Sequence, residues 1–249
     1  ARPGHNPAGG SGDRHPTARG LAMDALTATF PSGGRLDACS LALPVGAVVG
    51  LVTPPGQEAD DVLGLLSGDS NPGAGRAAID GVDVRVPSVA HHVFYVPNAA
   101  DALSASAREL LHAVAPHISD EAARSALESV GLEHVLALPH GIDEPLGPGG
   151  VELTVNEQQR LMLAIALAAS PRALLVGSLQ ALADVDNAMP VISALRAGGQ
   201  ESTVISVRSG DVAEAVDYVL FVADGAARLA THQKLLVEVP AYATLWEQR

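Results

Sequence analysis

Short apolar runs alternate with helical segments along most of this 249-residue chain, and this alternation most constrains its fold. Four of the runs have the length of buried strands and end in turn residues: AVVGLV, ALLVGSL, TVISV and DYVLFVADG. Other segments have helical periodicity, notably NEQQRLMLAIALAAS and VISALRAGG. Strands that alternate with helices predict an α/β fold with a largely parallel sheet.

A different pattern occupies the first part of the chain. LAMDALTATF and LDACSLALP alternate apolar and polar residues, as half-buried strands do, and the turn sequence PSGG separates them. GRAAIDGVDVR adds a strand with an Asp-Gly turn, and DDVLGLLSG predicts a short buried helix that ends at Gly68. These segments predict a sheet-rich first lobe.

The charge balance argues against a protein that binds nucleic acid or anionic membranes by electrostatic attraction. The net charge is −13 at pH 7, so no broad basic surface is available to neutralise phosphates. Lys234 is the only lysine, and any lysine-dependent chemistry must use it. Cys39 is the only cysteine, which excludes an internal disulfide. With no long apolar run and no charged-then-apolar leader, we expect a cytoplasmic protein that crosses no membrane by itself.

Turn-forming residues and helical periodicity suggest how the chain is divided. Residues 1–20 are rich in Gly, Pro and polar residues and predict a flexible linker or arm. Residues 21–249 are expected to form one domain, since 47% of the chain is hydrophobic and suffices for a large core. Residues 99–160 predict a helical subdomain in which Ala123, Leu127 and Val130 share one face.

The order of several local sequences resembles the nucleotide-binding domain of ABC transporters, especially the exporter type. GAVVGLVTPPG, LLSG, GRAAIDGVDVR and VFYVPN follow one another like that family's strand, phosphate loop, antiparallel strand and glutamine-loop region. GIDEPLGPGG before QQR resembles the signature region, ALLV the Walker B strand, and LLVEVPAYATLW the family's C-terminal end. The resemblance covers roughly residues 21–249 and rests on order and spacing, because no single motif is intact.

The resemblance implies a fold and a set of partners. The fold is a P-loop NTPase-like (RecA-like) core with a mainly parallel sheet, an N-terminal antiparallel β subdomain and an α-helical subdomain. The partners are a transmembrane domain and a second nucleotide-binding domain, with which such domains form head-to-tail pairs. ATP and Mg²⁺ are the cofactors of competent members.

The family's phosphate-binding loop falls on LVTPPGQEADDVLGLLSG, which contains no lysine. Such a loop uses glycine amides, a lysine on the outer phosphates and a Ser/Thr hydroxyl on Mg²⁺. Laid on this sequence, the pattern G-x-x-x-x-G-K-[ST] runs from Thr53 to Asp60 and puts the lysine at Ala59. The implied nucleotide positions are Thr53, Pro54, Pro55, Gly56, Gln57, Glu58, Ala59, Asp60 and Asp61. Among them only Gly56, the extra glycine of the ABC version, is kept.

The acids of this loop predict poor phosphate binding. A carboxylate about 5 Å from a phosphate charge repels it by roughly 3 kcal/mol at an effective dielectric near 20. We therefore expect no nucleotide cofactor. One hypothesis is a self-filled anion site, in which Glu58, Asp60 and Asp61 accept the N–H groups of the helix N-terminus as a phosphate would. Ordinary helix-capping acids are an alternative that predicts the same contacts, and a cation site built from the acids is another.

Two further nucleotide positions are implied by the resemblance. The adenine-stacking tyrosine falls near Phe30, which keeps an aromatic face but equally suits a buried strand residue. The glutamine that reaches Mg²⁺ and the transporter falls at Asn98, one methylene shorter, where Pro-Asn also fits a simple turn.

The signature and hydrolysis positions are altered as well. The signature LSGGQ corresponds to Leu153, Thr154, Val155, Asn156 and Glu157, so both glycines have acquired side chains. At the end of the Walker B strand, Gly177 stands at the Mg²⁺-associated aspartate and Ser178 at the general-base glutamate. The switch histidine falls at or next to Ser209. Asp184 keeps the aspartate of the D-loop, although an aspartate that opens a helix also serves as a cap.

Other enzyme classes have little support in the sequence. The His91–His92 pair has no accompanying cluster of acids or cysteines at ligand spacing, so no metal site is expected. Ser178 and Ser209 lack the G-x-S-x-G context of a nucleophilic serine.

Three functions remain open. The first is a degenerate nucleotide-binding domain that serves an ABC transporter as a structural and coupling partner at the inner face of the cell membrane. The second is a weakly ATP-binding half whose partner supplies hydrolysis, with backbone contacts and Phe30 holding the nucleotide. The third is a soluble pseudo-ATPase that binds protein partners.

Overall fold

The computed structural model describes residues 19–97, 105–147, 149–179, 182–183 and 185–247. Within these ranges it contains ten strands in two sheets and ten α-helices. The strands are β1 (Leu21–Thr29), β2 (Arg35–Ala42), β3 (Val48–Val52), β4 (Ala74–Ile79), β5 (Val82–Asp83), β6 (Val93–Val96), β7 (Ala173–Val176), β8 (Ser202–Ser206), β9 (Tyr218–Ala223) and β10 (Ala226–Ala230). The helices are α1 (Ala59–Ser67), α2 (Pro87–Ala90), α3 (Ala107–Val114), α4 (Asp120–Ser129), α5 (Glu133–Leu136), α6 (Val155–Ala168), α7 (Val185–Ala197), α8 (Gly210–Ala215), α9 (His232–Glu238) and α10 (Pro240–Glu247).

The larger sheet has six strands in the order β10-β9-β3-β8-β7-β6. Its pairs from β9 to β6 are parallel, and only β10, at the edge, runs antiparallel to β9. The smaller sheet is antiparallel, with the order β2-β1-β4-β5. The predicted α/β class, the mainly parallel core and the N-terminal antiparallel subdomain are confirmed.

The strand β3 lies between two apolar clusters because its side chains alternate between the two faces of the sheet. Val48 and Val52 belong to the cluster shared with the helices after residue 105. Val49 and Leu51 belong to the cluster shared with α1 and the antiparallel sheet. The central strand is therefore buried on both faces, as its continuous apolar run predicts.

Local turn chemistry explains where the elements around β3 end. Helix α1 stops at Gly68, whose φ of 89° is left-handed and suits glycine. The hairpin from β4 to β5 turns at Asp80 and Gly81, both at positive φ. Both features agree with the sequence-based expectation.

The helical part of the chain comprises α3, α4, α5 and a 3₁₀ turn at Gly141–Asp143, with α6 packed against α3 and α4. Ala123, Leu127 and Val130 are all buried, as their spacing predicts. The proposed limit at residue 160 falls inside α6, so it does not coincide with the end of an element.

The proposed arm at residues 1–20 lies almost wholly outside the described residues, as do Asn98 and Asp184. No helix within the described part of the chain combines the length and apolar character needed to span a bilayer.

Candidate functional site

The loop between β3 and α1 lies at the carboxyl end of the central strand, where ligands bind in open parallel sheets. The Thr53 hydroxyl donates to the carbonyl of Gln57 at 2.8 Å, and the Gln57 N–H donates to the carbonyl of Pro54 at 3.1 Å. Gly56 turns the chain at a φ of 86°. Pro54 and Pro55 have no N–H, so two positions of the loop cannot donate to a phosphate.

A cavity of about 390 Å³ opens beside this loop. Its walls come from three places in the chain: the loop itself, the end of β8 with the residues after it, and α10. The residues are Val52, Thr53, Pro54, Pro55, Gly56, Gln57, Glu58, Ala59, Ser206, Val207, Arg208, Leu245 and Trp246. Arg208 is the one basic residue among them.

The three acids at the start of α1 each contact a side chain from a distant part of the chain. The Tyr95 hydroxyl donates to Asp60 at 2.8 Å. The hydroxyl and the N–H of Ser32 both donate to Asp61. Arg208 approaches the Glu58 carboxylate at 3.4 Å.

These contacts correct the hypothesis of a self-filled anion site. Glu58 is the N-cap residue of α1, but its side chain makes no capping hydrogen bond. Asp60 and Asp61 lie in the first turn, where they complement the helix dipole. Their carboxylates accept hydrogen bonds from the hydroxyls of Tyr95 and Ser32, and not from backbone N–H groups of the helix. The alternative of helix-capping acids is wrong for the same reason, because it requires hydrogen bonds to the helix N–H groups. What remains of it is the favourable interaction of Asp60 and Asp61 with the helix dipole.

The N–H group of Glu58, at the start of α1, is hydrogen-bonded to a side chain outside the loop. The Oγ of Ser32, in the turn between β1 and β2, accepts the N–H of Glu58 at 2.9 Å. The same hydroxyl donates to Asp61, so Ser32 bridges an amide and a carboxylate. The turn between β1 and β2 therefore occupies part of the position where a phosphate would meet this helix.

Two buried side chains further define the loop. Ala59, at the lysine position, is only 6% exposed and packs in the cluster that contains α1. Gln57 is also 6% exposed, and within the described residues its Nε2 has no hydrogen-bond partner. A long charged side chain at position 59 would therefore have to leave the core to reach the cavity.

The cation-site alternative receives no support from the geometry. Within the described ranges, no group of three or more His, Cys, Asp and Glu side chains is placed to hold a metal ion. Burial and the Asp60 carboxylate raise the pKa of the Tyr95 phenol well above its ordinary value of 10.0. A protonated Tyr95 keeps donating to Asp60 across the neutral range.

Phe30 follows β1 and is 6% exposed, with its side chain in the same cluster as α1. An aromatic ring stacks on a base only with an open face. Phe30 is therefore buried, as the alternative expected, although it lies one residue beyond the end of β1.

At the end of β7, the chain has backbone and hydroxyl groups in place of carboxylates. Gly177 is buried and donates its N–H to the carbonyl of Val96 at 2.8 Å. The hydroxyls of Ser178 and Ser206 are 3.0 Å apart. Ser209 is the N-cap residue of α8 and makes no side-chain capping bond. The structure thus brings Ser178 near the cavity through Ser206.

The signature positions form the start of α6. Thr154 and Glu157 make a capping box, in which the Glu157 carboxylate accepts the Thr154 N–H at 2.7 Å. This bond lowers the pKa of Glu157 below its ordinary value. Leu153 is buried, Val155 is 52% exposed, and Asn156 accepts a hydrogen bond from Arg160.

Sequence reasoning missed the side chains that surround the loop: Ser32, Tyr95, Ser206, Arg208 and Trp246. A signal existed for Ser206 and Arg208, which lie at the end of a predicted parallel strand, the edge where ligands bind. A signal also existed at Thr154, because T-x-x-E before an apolar run is the sequence of a capping box.

Known proteins that are similar to this chain include ABC transport proteins. No family model matches the chain. It is 29% identical over 228 residues to the mycobactin import ATP-binding/permease protein IrtB of Mycobacterium tuberculosis, which covers 88% of this chain and 39% of that protein. It is 26% identical over 222 residues to the ABC transporter ATM1 of Toxoplasma gondii, which covers 86% of this chain and 20% of that protein.

Among solved structures, a bacterial Atm1-family ABC exporter with ATP bound matches with a TM-score of 0.77 at 22% identity. The match covers 92% of this chain and 41% of that chain. The present chain spans less than half the length of these relatives. Its fold is that of the nucleotide-binding domain of ABC exporters, and its sequence is similar to those of ABC ATP-binding/permease proteins.

Proposed function

We propose that this chain is a degenerate nucleotide-binding domain that serves an ABC transporter as a structural and coupling partner, with ATP binding and hydrolysis absent or strongly impaired. One observation carries the proposal. The start of α1, which receives phosphates in this fold, carries Glu58, Asp60 and Asp61 and has a buried alanine at the lysine position.

Electrostatics supports impaired binding. The acids add negative charge where a triphosphate would add more, and only Arg208 among the cavity-lining residues opposes them. Arg208 is itself paired with Glu58. A pair of repulsions of about 3 kcal/mol each outweighs one charge-assisted hydrogen bond of about 1.5–3 kcal/mol.

Hydrolysis has even less support. A general base must reach the attacking water, and the end of β7 offers the Ser178 hydroxyl where a carboxylate is needed. The Thr154 hydroxyl and the Glu157 carboxylate, which lie at signature positions, are committed to the capping box of α6. Neither side of a head-to-tail pair would therefore receive intact catalytic groups from this chain.

The partners follow from the relatives, whose names combine an ATP-binding and a permease function. By analogy, this domain acts with a transmembrane domain and a second nucleotide-binding domain, at the cytoplasmic face of the cell membrane. Contact with the membrane is made through the partner, and no nucleic acid is involved.

Weak ATP binding by this chain is the competing function. Arg208 favours it, because a guanidinium at the cavity can bind a phosphate oxygen. The burial of Phe30 counts against it, because that ring was the expected support for the base.

Calorimetric titration of the 249-residue chain with ATP, with and without Mg²⁺, tests the proposal. We expect no saturable binding below about 1 mM, a weaker interaction than about −4 kcal/mol. The same titration is carried out on the variant Arg208→Ala for comparison. Saturable binding that this variant abolishes would establish the weak-binding function and overturn the proposed one.

A further inference from the structure

Four aromatic side chains meet between β9, α9 and α10, and they are called the aromatic cluster below. Its members are Phe221, His232, Tyr242 and Trp246. The ring of Tyr242 stands edge-on to the other three, at centroid distances of 5.2 to Phe221, 5.6 to His232 and 5.8 Å to Trp246. Tyr242 is fully buried and His232 is half-buried. The cluster holds α10 against the rest of the domain.

A hydrogen bond connects two members of the cluster. The Tyr242 hydroxyl lies 2.7 Å from Nδ1 of His232. With the proton of a neutral His232 on Nε2, Nδ1 is an acceptor and the Tyr242 O–H donates to it. Nδ1 can accept this proton only in a neutral imidazole.

The cluster also reaches the cavity at the β3–α1 loop. Trp246 and Leu245 of α10 line that cavity together with Pro54 and Pro55. Trp246 also lies over Gly210 at the start of α8. The position of α10 therefore determines how far the loop is covered.

We propose that the aromatic cluster is a pH-sensitive latch, which holds α10 over the β3–α1 loop while His232 is neutral and releases it when His232 gains a proton. Protonation has two effects here. It turns Nδ1 from an acceptor into a donor, so the O–H of the fully buried Tyr242 loses its acceptor. It also places a charge among aromatic rings in a half-buried site.

The charge environment of His232 is compatible with this switch. Burial lowers the pKa of His232 below its ordinary value of 6.5, and the nearby Glu214 carboxylate opposes that effect. The ionisable groups on the packed elements are Asp211 and Glu214 of α8, Lys234 and Glu238 of α9, and Glu247 of α10; β9 carries none besides Tyr218. Gln233 holds Glu214 by a bond of 3.1 Å. Release of α10 lets His232 return toward its ordinary pKa, so a falling pH favours release.

The test uses Trp246, the only tryptophan of the chain, as its own probe. Intrinsic emission is recorded from about pH 8 to about pH 5, alongside far-UV circular dichroism. We expect a red shift with a single midpoint below 6.5 while the dichroism stays constant. Hydrogen exchange of the 53–58 amides is expected to accelerate over the same pH range.

Matched variants identify the responsible group. His232→Gln keeps a polar side chain that does not titrate, and should remove the emission change. His91→Gln, at the exposed C-cap of α2, should retain it. An emission constant from about pH 8 to about pH 5 overturns the latch. So does an unchanged transition in His232→Gln, or loss of dichroism together with the emission shift, since that marks unfolding of the whole domain. None of these readouts uses nucleotide, so the latch stands or fails independently of the proposed function.

Discussion

The phenolic hydroxyl of Tyr95 on β6 donates a 2.8 Å hydrogen bond to the Asp60 carboxylate in the first turn of α1. The resemblance places the Mg²⁺ hydroxyl at position 60, where this chain has an acid that contacts a strand at the edge of the parallel sheet. The bond fixes the side chain away from the helix amides. The position to which the resemblance assigns the Mg²⁺ hydroxyl therefore has a structural contact in this chain.

Tyr95→Phe should destabilise the domain by about 1–2 kcal/mol, because it removes a hydrogen bond to a charged, partly buried acceptor. Urea unfolding measures this loss, and Tyr218→Phe at an exposed strand end should change stability by less than about 0.5 kcal/mol. In the background Asp60→Asn, the effect of Tyr95→Phe should shrink. Equal effects in both backgrounds would show that the two side chains do not interact.

The capping box of α6 predicts a pH-dependent contribution to stability. The folded-state pKa of Glu157 is lowered, chiefly by the Thr154 N–H. Its contribution is therefore present above the ordinary carboxyl pKa of 4.5 and is lost as the pH falls through the lowered pKa. The Thr154 hydroxyl contributes to this shift as well, and Thr154→Ala removes it while the backbone N–H remains. This substitution should cost about 1 kcal/mol at neutral pH.

Unfolding at neutral pH and at about pH 3 measures this contribution. Ser119→Ala, which removes a cap of α4 without a capping box, is the matched control. Thr154→Ala should lose more of its effect in acid than Ser119→Ala does. A Thr154→Ala cost that is the same at both pH values would show that the Thr154 hydroxyl adds nothing to the pH-dependent contribution of Glu157.

Much of the architecture could be predicted from the sequence because its signals are local. The run around β3, the glycine after α1 and the Asp-Gly turn after β4 each determine their own element. Several elements were missed or only partly predicted, among them the short helices α2 and α8. The first half of α7 precedes Pro190, a residue that usually marks the start or end of a helix, and the short edge strand β10 directly follows a turn.

The candidate site could be predicted only in part, because the loop is continuous in sequence and its contacts are not. The acids of the loop are visible as a run, but Ser32 lies 29 residues from Asp61, Tyr95 lies 35 from Asp60, and Arg208 lies 150 from Glu58. Only tertiary packing decides which donor reaches which carboxylate. For this reason the expected helix-amide contacts of the acids were wrong, while the position of the loop was right.

The pair formed by Arg208 and Glu58 should contribute little to stability. Both side chains are about 60% exposed, and exposed ion pairs are typically worth about 0–1 kcal/mol. We expect Arg208→Ala and Glu58→Ala each to change the free energy of unfolding by less than about 1 kcal/mol. Chemical denaturation at low and high salt checks this, with Arg35→Ala of the exposed Arg35–Asp37 pair as control. A loss above about 2 kcal/mol would mean that the pair fixes the loop.

Placing a lysine at position 59 should not restore ATP binding. Ala59 is buried, so Ala59→Lys must first move a charged side chain out of the core, and Asp60 and Asp61 still repel the phosphates. The combined variant Glu58→Gly, Ala59→Lys, Asp60→Ser, Asp61→Asn removes that repulsion and is expected to bind ATP at least 10-fold more tightly than Ala59→Lys alone, a difference of about 1.4 kcal/mol or more. Calorimetry with Mg²⁺-ATP compares the two variants, and dichroism verifies that both are folded. Saturable binding by Ala59→Lys alone, as tight as that of the combined variant, would mean that the missing lysine and not the acids keeps nucleotide out of the cavity.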